Sequence, residues 1–241
     1  KKRKIKMHTS AKASNPQVKG EKVSLDVDTK KGTQTLEADR LLVVVGRGPN
    51  TDGIGLENVG ISPEKGFIPV GDYYHTGVGS IYAVGDVVSS PLLAHVASKE
   101  AEIAVEHMAG EPREKKIDPT TIPTAVYTEP EVAGFGLGED EAVKQGYEVS
   151  SASFPYRGAG KSVAIEKTDG QVKIVYDTKT GEILGGRIVG TEATDLIHEL
   201  LLARKSELQT KDISTMIHAH PTLSEAVMEA ARAAEGWVIH A

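Results

Sequence analysis

The stretch "HAHPTLSE", His218 to Glu225, places two imidazoles and a carboxylate close together in the chain. A carboxylate that holds one nitrogen of an imidazole raises its basicity and leaves the other nitrogen to accept a proton. His220 with Glu225 therefore reads as an acid/base pair suited to a thiol or a similar group. His218 competes with His220 for the base role. Glu225 also has a structural task open to it, because Thr222-x-x-Glu225 matches a helix capping box. The His220-Pro221 bond is of the type that adopts cis at low cost, which would fix the imidazole in one direction. Two histidines at i, i+2 with no third ligand at suitable spacing give no metal site.

A second candidate lies in "IYAVGDVVSSPLLAH", Ile81 to His95. An apolar strand ending in Gly85-Asp86 puts a carboxylate where doubly wound nucleotide folds bind ribose or ribityl hydroxyls. The helix that follows offers free N–H groups and a positive dipole end to an electron-rich ring edge. The plainer alternative is that Asp86 caps a turn and His95 is a surface residue of the helix. Three glycine clusters, "GRGPN", "GIGLEN" and "GFGLGED", miss the spacing of a dinucleotide fingerprint and read as turns. The chain contains no cysteine. A disulfide, a thiolate nucleophile or a Cys-held metal must come from elsewhere.

The elements that position these residues are legible from periodicity. Val23, Leu25 and Val27 alternate with polar residues, a Lys31-Gly32 turn follows, and Thr35-Leu36 resumes the extended pattern, which predicts a hairpin. Leu41 to Val45 is an unbroken aliphatic run that reads as a strand buried on both faces of a parallel sheet. Such a strand needs parallel neighbours, and little sequence precedes it, so the chain reads as the C-terminal part of a longer protein. Gly79 to Val88 reads as a second strand. A helix is predicted from a Ser90 N-cap and Pro91 to Gly110. The polar, proline-bearing "EPREKKIDPTTIP" places a domain boundary near residue 118.

Beyond it, "TAVYT", "YEVSSASFPY", "QVKIVYD" and "EILGGRIVG" predict an antiparallel sheet, with a turn at Asp177 to Gly181 between the last two. Helical segments are expected at Glu139–Gln145, Glu192–Arg204 and Thr222–Ala234, with a short turn near Asp212. The fold class is thus α/β and α+β: partial nucleotide-domain elements, then an α+β domain with an antiparallel sheet flanked by helices.

Composition narrows the class. With 28 basic against 34 acidic residues the formal charge is −6, which argues against a nucleic-acid binder. The basic start, KKRKIK, reads as a solvated strand edge and leads into no apolar h-region, so it is not a secretory signal. No run is long enough to span a bilayer. The expectation is a cytoplasmic protein without membrane or nucleic-acid partners.

Three blocks in order, "GRGPNT" (Gly46 to Thr51), "IYAVGDVVSSPLLAH" and "HAHPTLSEA", together with "VYTEPEVAGFGLGEDEA", resemble the flavin disulfide reductase family. The likeness is greatest to the branch that oxidises protein-bound dihydrolipoyl groups, and it covers essentially the whole chain. It implies residues 1–46 as the end of an NAD-binding domain, 47–118 as a return into an FAD-binding domain, and 119–241 as an interface domain that forms a homodimer. By matching position, His220 resembles the catalytic base and Glu225 its orienting partner. Asp86 resembles the ribityl-binding residue, Leu93, Ala94 and His95 the backbone at the flavin pyrimidine edge, and Gly46 a cofactor-side glycine.

The resemblance further implies FAD and NAD as cofactors, with both sites incomplete in this chain, and a lipoyl-bearing acyltransferase of a 2-oxoacid dehydrogenase complex as partner. The family's Cys pair and glycine fingerprints precede the region present, so the chain alone is expected to dimerise but not to turn over. Ser90 stands where the family usually has glycine before Pro91. The rival readings are another flavin disulfide reductase, an NAD(P) transhydrogenase, or a dimerisation and assembly module.

Overall fold

The computed structural model describes residues 4–240. Lys1 to Arg3 of the basic run lie outside the described residues. The chain divides into two units, Lys1–Gly48 and Pro49–Ala241.

The first unit is an antiparallel sheet of β1 (Lys12–Lys19), β2 (Lys22–Thr29) and β3 (Gly32–Ala38), in the order β1-β2-β3. The predicted hairpin is β2 and β3, with Leu25 opposite Leu36 and Thr29 opposite Gly32 at the turn. Strand β1 is an addition: its polar sequence, broken by Pro16 and an irregular register between Ser14 and Gln17, carries no alternation to read. The described part of the basic run, Lys4 to Lys6, is exposed and lies in no strand, contrary to expectation.

Leu41 to Val45 overturns a further expectation. It forms no strand, and Leu42, Val43, Val44 and Val45 are exposed, Val45 at 94%. The physical reason is that a parallel strand is held only by parallel neighbours, and all strand pairs among the described residues are antiparallel.

The second unit opens with loops and short 3-10 turns around a small core of Ile61, Ile68, Ala83 and Val88. The predicted strand at Gly79–Val88 is instead an irregular segment with one bridge, His75 to Tyr82, and a 3-10 turn over Gly85–Val87. Its backbone groups pair with loops: Ala83 N–H donates to Tyr74 O and Val87 O accepts from Ile68 N–H. Helix α1 spans Ala94–Met108. It starts later than Ser90-Pro91 predicted, because Ser90 N–H is turned back to Val88 O and Leu93 N–H to Pro91 O, leaving Leu93 as the N-cap. Gly110 follows its end with φ 79°, a left-handed conformation that suits glycine.

The main sheet has five antiparallel strands: β4 (Thr124–Val126), β5 (Glu131–Gly136), β6 (Val149–Pro155), β7 (Gln171–Asp177) and β8 (Ile183–Gly190), in the order β4-β5-β8-β7-β6. Strand β5 runs through the start of "GFGLGED", whose glycine density reads as a turn. Gly134 gives space, with Arg187 lying over it and donating to Phe135 O and to Gly136 O, while Gly136 ends the strand at φ 69°.

Alternation along β7 sends Val172 and Ile174 to one face and Val175 to the other. The first face packs on α4 (Ala193–Lys205) and α6 (Glu225–Ala234) through Ile197, Leu200, Val227 and Ala230. The second meets Ala142 of α2 (Glu139–Lys144). Two short helices, α3 (Gly160–Ala164) and α5 (Thr210–Thr215), complete the unit; α3 was not legible in the sequence. Glu131 of β5 caps α4, its Oε2 accepting from the N–H and hydroxyl of Thr194.

Candidate functional site

His220 and Glu225 come together as the spacing suggests. His220 Nδ1 lies 2.9 Å from Glu225 Oε1, and Glu225 Oε2 accepts the Thr222 N–H at 2.8 Å. The His220-Pro221 bond is cis. The imidazole side chain is 74% exposed, whereas Glu225 is only 17% exposed. With Nδ1–H facing a carboxylate, Nε2 is left as the proton acceptor toward solvent. Burial works against ionisation of Glu225, yet the Thr222 N–H and the His220 imidazole outweigh it and hold the carboxyl below its ordinary value.

The capping box is realised in half. Glu225 reaches back to Thr222, but the Thr222 hydroxyl donates to Ala219 O, and α6 begins at Glu225 rather than Thr222. Glu225 thus does both things the sequence left open: it braces the turn and holds the imidazole.

His218 takes a different place. Its side chain is buried, 3% exposed, with Nε2 2.8 Å from Glu199 Oε1 on α4. The bond to Glu199 pushes its pKa up against the opposing effect of burial. A ring so enclosed anchors the loop and leaves His220 as the imidazole that can meet another molecule.

One turn beyond Glu225, Glu229 was missed by sequence reading. It is buried at 2% and accepts from Arg232 at 2.6 Å, from Ile239 N–H at 2.9 Å and from His240 N–H at 3.2 Å, with His240 Nδ1 also at 3.2 Å. These bonds tie the C-terminal segment to the helix that carries Glu225. Trp237 adds to the tie, with Arg232 placed 4.8 Å over its ring.

The second candidate site is looser. Asp86 lies in the 3-10 turn, half-buried. Leu93 caps α1, and the N–H groups of Ala94 and His95 lie in the first turn, where no helical acceptor exists. The His95 side chain bonds through Nε2 to Pro123 O at 2.8 Å. Gly46 belongs to the other unit, in an exposed stretch with φ 134°. Near the turn, Ser90 Oγ and Glu100 Oε1 are buried with no hydrogen-bond partner among the described residues. Both residues line a cavity of about 550 Å³. A wall of this kind fits a hydroxyl-bearing ligand better than an apolar one. Among the described residues no group of three or more metal-ligating side chains occurs, and no helix is long and apolar enough to cross a membrane.

Two family profiles match the chain: pyridine nucleotide-disulphide oxidoreductase over residues 1–101, and the dimerisation domain of the same family over 122–231. The chain belongs to the pyridine nucleotide-disulphide oxidoreductase family. Similar relatives include dihydrolipoyl dehydrogenases of Bacillus subtilis, 41% identical over 100% of this chain and 51% of that protein, and of Haloferax volcanii, 42% identical over 98% and 50%. The chain spans about half the length of the curated relatives it matches. Among solved structures, LpdA from Mycobacterium tuberculosis has a TM-score of 0.87 at 28% identity, covering 96% of this chain and 50% of that one. The flavoprotein disulfide reductase RclA from Escherichia coli, at 23% identity over 91% and 49%, has a TM-score of 0.82 and shares the fold.

Proposed function

We propose that this chain serves in a dihydrolipoyl dehydrogenase and supplies its acid/base unit. The observation that carries the reading is the His220–Glu225 pair, braced at 2.9 Å with the imidazole largely exposed. In that role His220 Nε2 takes the proton of a dihydrolipoyl thiol. The thiolate then attacks a disulfide: one sulfur–sulfur bond forms, another breaks, and the departing sulfur leaves with the electron pair. This chain has no cysteine, so that disulfide belongs to sequence or a subunit outside it. Glu225 steadies the imidazolium that results, and on the return step His220 gives the proton back.

The same reading assigns residues 1–46 to the end of an NAD-binding domain, 47–118 to an FAD-binding return and 119–241 to the interface of a homodimer. Asp86 would hold the ribityl hydroxyls of FAD, the backbone of Leu93, Ala94 and His95 would face its pyrimidine edge, and Gly46 would be a cofactor-side glycine. FAD, when bound, supplies the two-electron acceptor between sulfur and NAD+. The unpartnered Ser90 Oγ and Glu100 Oε1 support a polar occupant on this side. The partner would be the lipoyl-bearing acyltransferase of a 2-oxoacid dehydrogenase complex. The isolated chain would dimerise without turning over.

The test is His220→Gln in the dehydrogenase that contains this chain. Lipoamide-dependent turnover should fall by roughly 10²- to 10⁴-fold, the usual contribution of a positioned acid/base. Turnover within a factor of a few of the parent would defeat the assignment.

A further inference from the structure

Helix α1 buries a stripe of Val96, Glu100, Ile103 and Ala104, spaced as one helical face. Three of these are apolar. Glu100, in the middle, has no exposed surface at all. A carboxylate in such a place is costly unless donors surround it, as they surround Glu229. Glu100 has one donor among the described residues: the Gly85 N–H, 2.6 Å from Oε2. An apolar side chain would fill the stripe at lower cost, so what the carboxylate adds is the hold on Gly85.

Gly85 is the residue before Asp86. It has φ 77°, and a Cβ built on it would stand 3.2 Å from Ala97 Cβ. Helix α1 therefore holds the turn through Glu100, which accepts the Gly85 N–H, and Ala97 leaves little room for any side chain at residue 85. Residue 85 also opens the 3-10 turn Gly85–Val87 that contains Asp86. Its direction sets where the Asp86 carboxylate goes.

We propose that Glu100 is a positioning residue for Asp86: from inside α1 it pins the Gly85 amide and so sets how Asp86 is presented to a hydroxyl-bearing cofactor. This rests on the reading of Asp86 given above. Ser90, whose buried hydroxyl has no partner among the described residues, lines a cavity together with Glu100.

Amide exchange at Gly85, followed by NMR on the 241-residue chain, reads the pin directly. Glu100→Ala should speed exchange there roughly tenfold or more, while Ile174 and Ile188 in the main sheet keep their rates. Glu100→Gln, whose amide oxygen accepts the same N–H, should restore protection. Unchanged exchange in the alanine variant, or lost protection in the glutamine variant, overturns the proposal.

FAD affinity, measured by flavin fluorescence on the dehydrogenase containing this chain, supplies the second arm. If Glu100 acts through Asp86, Glu100→Ala weakens FAD in the parent and adds nothing in an Asp86→Ala background. Additive losses overturn the positioning role. An Asp86→Ala variant that binds FAD normally would instead sink the reading of Asp86, with the Gly85 exchange result still standing on its own.

Discussion

Glu225 at the head of α6 and Glu100 in the middle of α1 each brace a loop that carries candidate chemistry, but only Glu225 has both oxygens engaged. Its neighbour Glu229 has four donors and Glu100 has one. Both oxygens of Glu225 are therefore engaged by residues of this chain, whereas Glu100 Oε1 and Ser90 Oγ are buried without a hydrogen-bond partner among the described residues. The His220–Glu225 pair is built from local sequence. Those two unpartnered atoms, Ser90 Oγ and Glu100 Oε1, both lie within the stretch Gly85 to Glu100.

The comparison breaks most readily at the two buried carboxylates. Glu229→Leu strands Arg232 and two backbone N–H groups, and should cost on the order of 3–5 kcal/mol in denaturant unfolding. Glu100→Leu removes a carboxyl with a single hydrogen-bond donor from an apolar stripe, and global stability should stay within about 1 kcal/mol of the parent. Equal losses for both would erase the distinction.

Glu225→Gln sharpens the same contrast from the other side. Glutamine can still accept the Thr222 N–H, so unfolding stability should fall by no more than about 1 kcal/mol. The anionic partner of His220 is gone, so turnover of the dehydrogenase should drop on the order of 10²-fold. Loss of stability without loss of turnover would reduce Glu225 to a brace.

Smaller effects appear in pH dependence. His218 has a raised folded pKa, so the stability it draws from Glu199 is full below its ordinary value near 6.5 and fades as pH rises through the folded value. His218→Asn should flatten that slope in unfolding curves taken across the range. Glu139 is held down to about 2, chiefly by Lys173, so its contribution is present above 4.5 and is lost as pH falls toward 2. The pair is partly open to solvent and screened by it, so Glu139→Gln should change the acid limb only slightly.

What was legible in the sequence follows the same division. The strands β6, β7 and β8 and the helices α4 and α6 could be read because each finds its apolar partner within the chain, so periodicity and burial agree. The run Leu41 to Val45 carries as strong an aliphatic signal, yet it stands exposed. Hydrophobic pattern reports a need for burial, not where the covering surface comes from. Helix starts misread for a simpler reason: loop groups at Val88 to Leu93 bond among themselves before the helix begins. Glu100 and Glu229 carry a signal of their own in the sequence, a carboxylate inside an otherwise apolar helical face.

The sheet also carries a feature with a use of its own. The Tyr156 ring lies against Gly190, where a Cβ would stand 2.4 Å from it, and its hydroxyl donates to Thr191 O at 2.9 Å. Burial, with Glu131 and Glu192 nearby, pushes its ionisation well above that of an ordinary phenol. In an alkaline absorbance titration Tyr156 should deprotonate only as the strands come apart. One phenol therefore doubles as an optical gauge of whether the interior is intact, needing neither label nor cofactor.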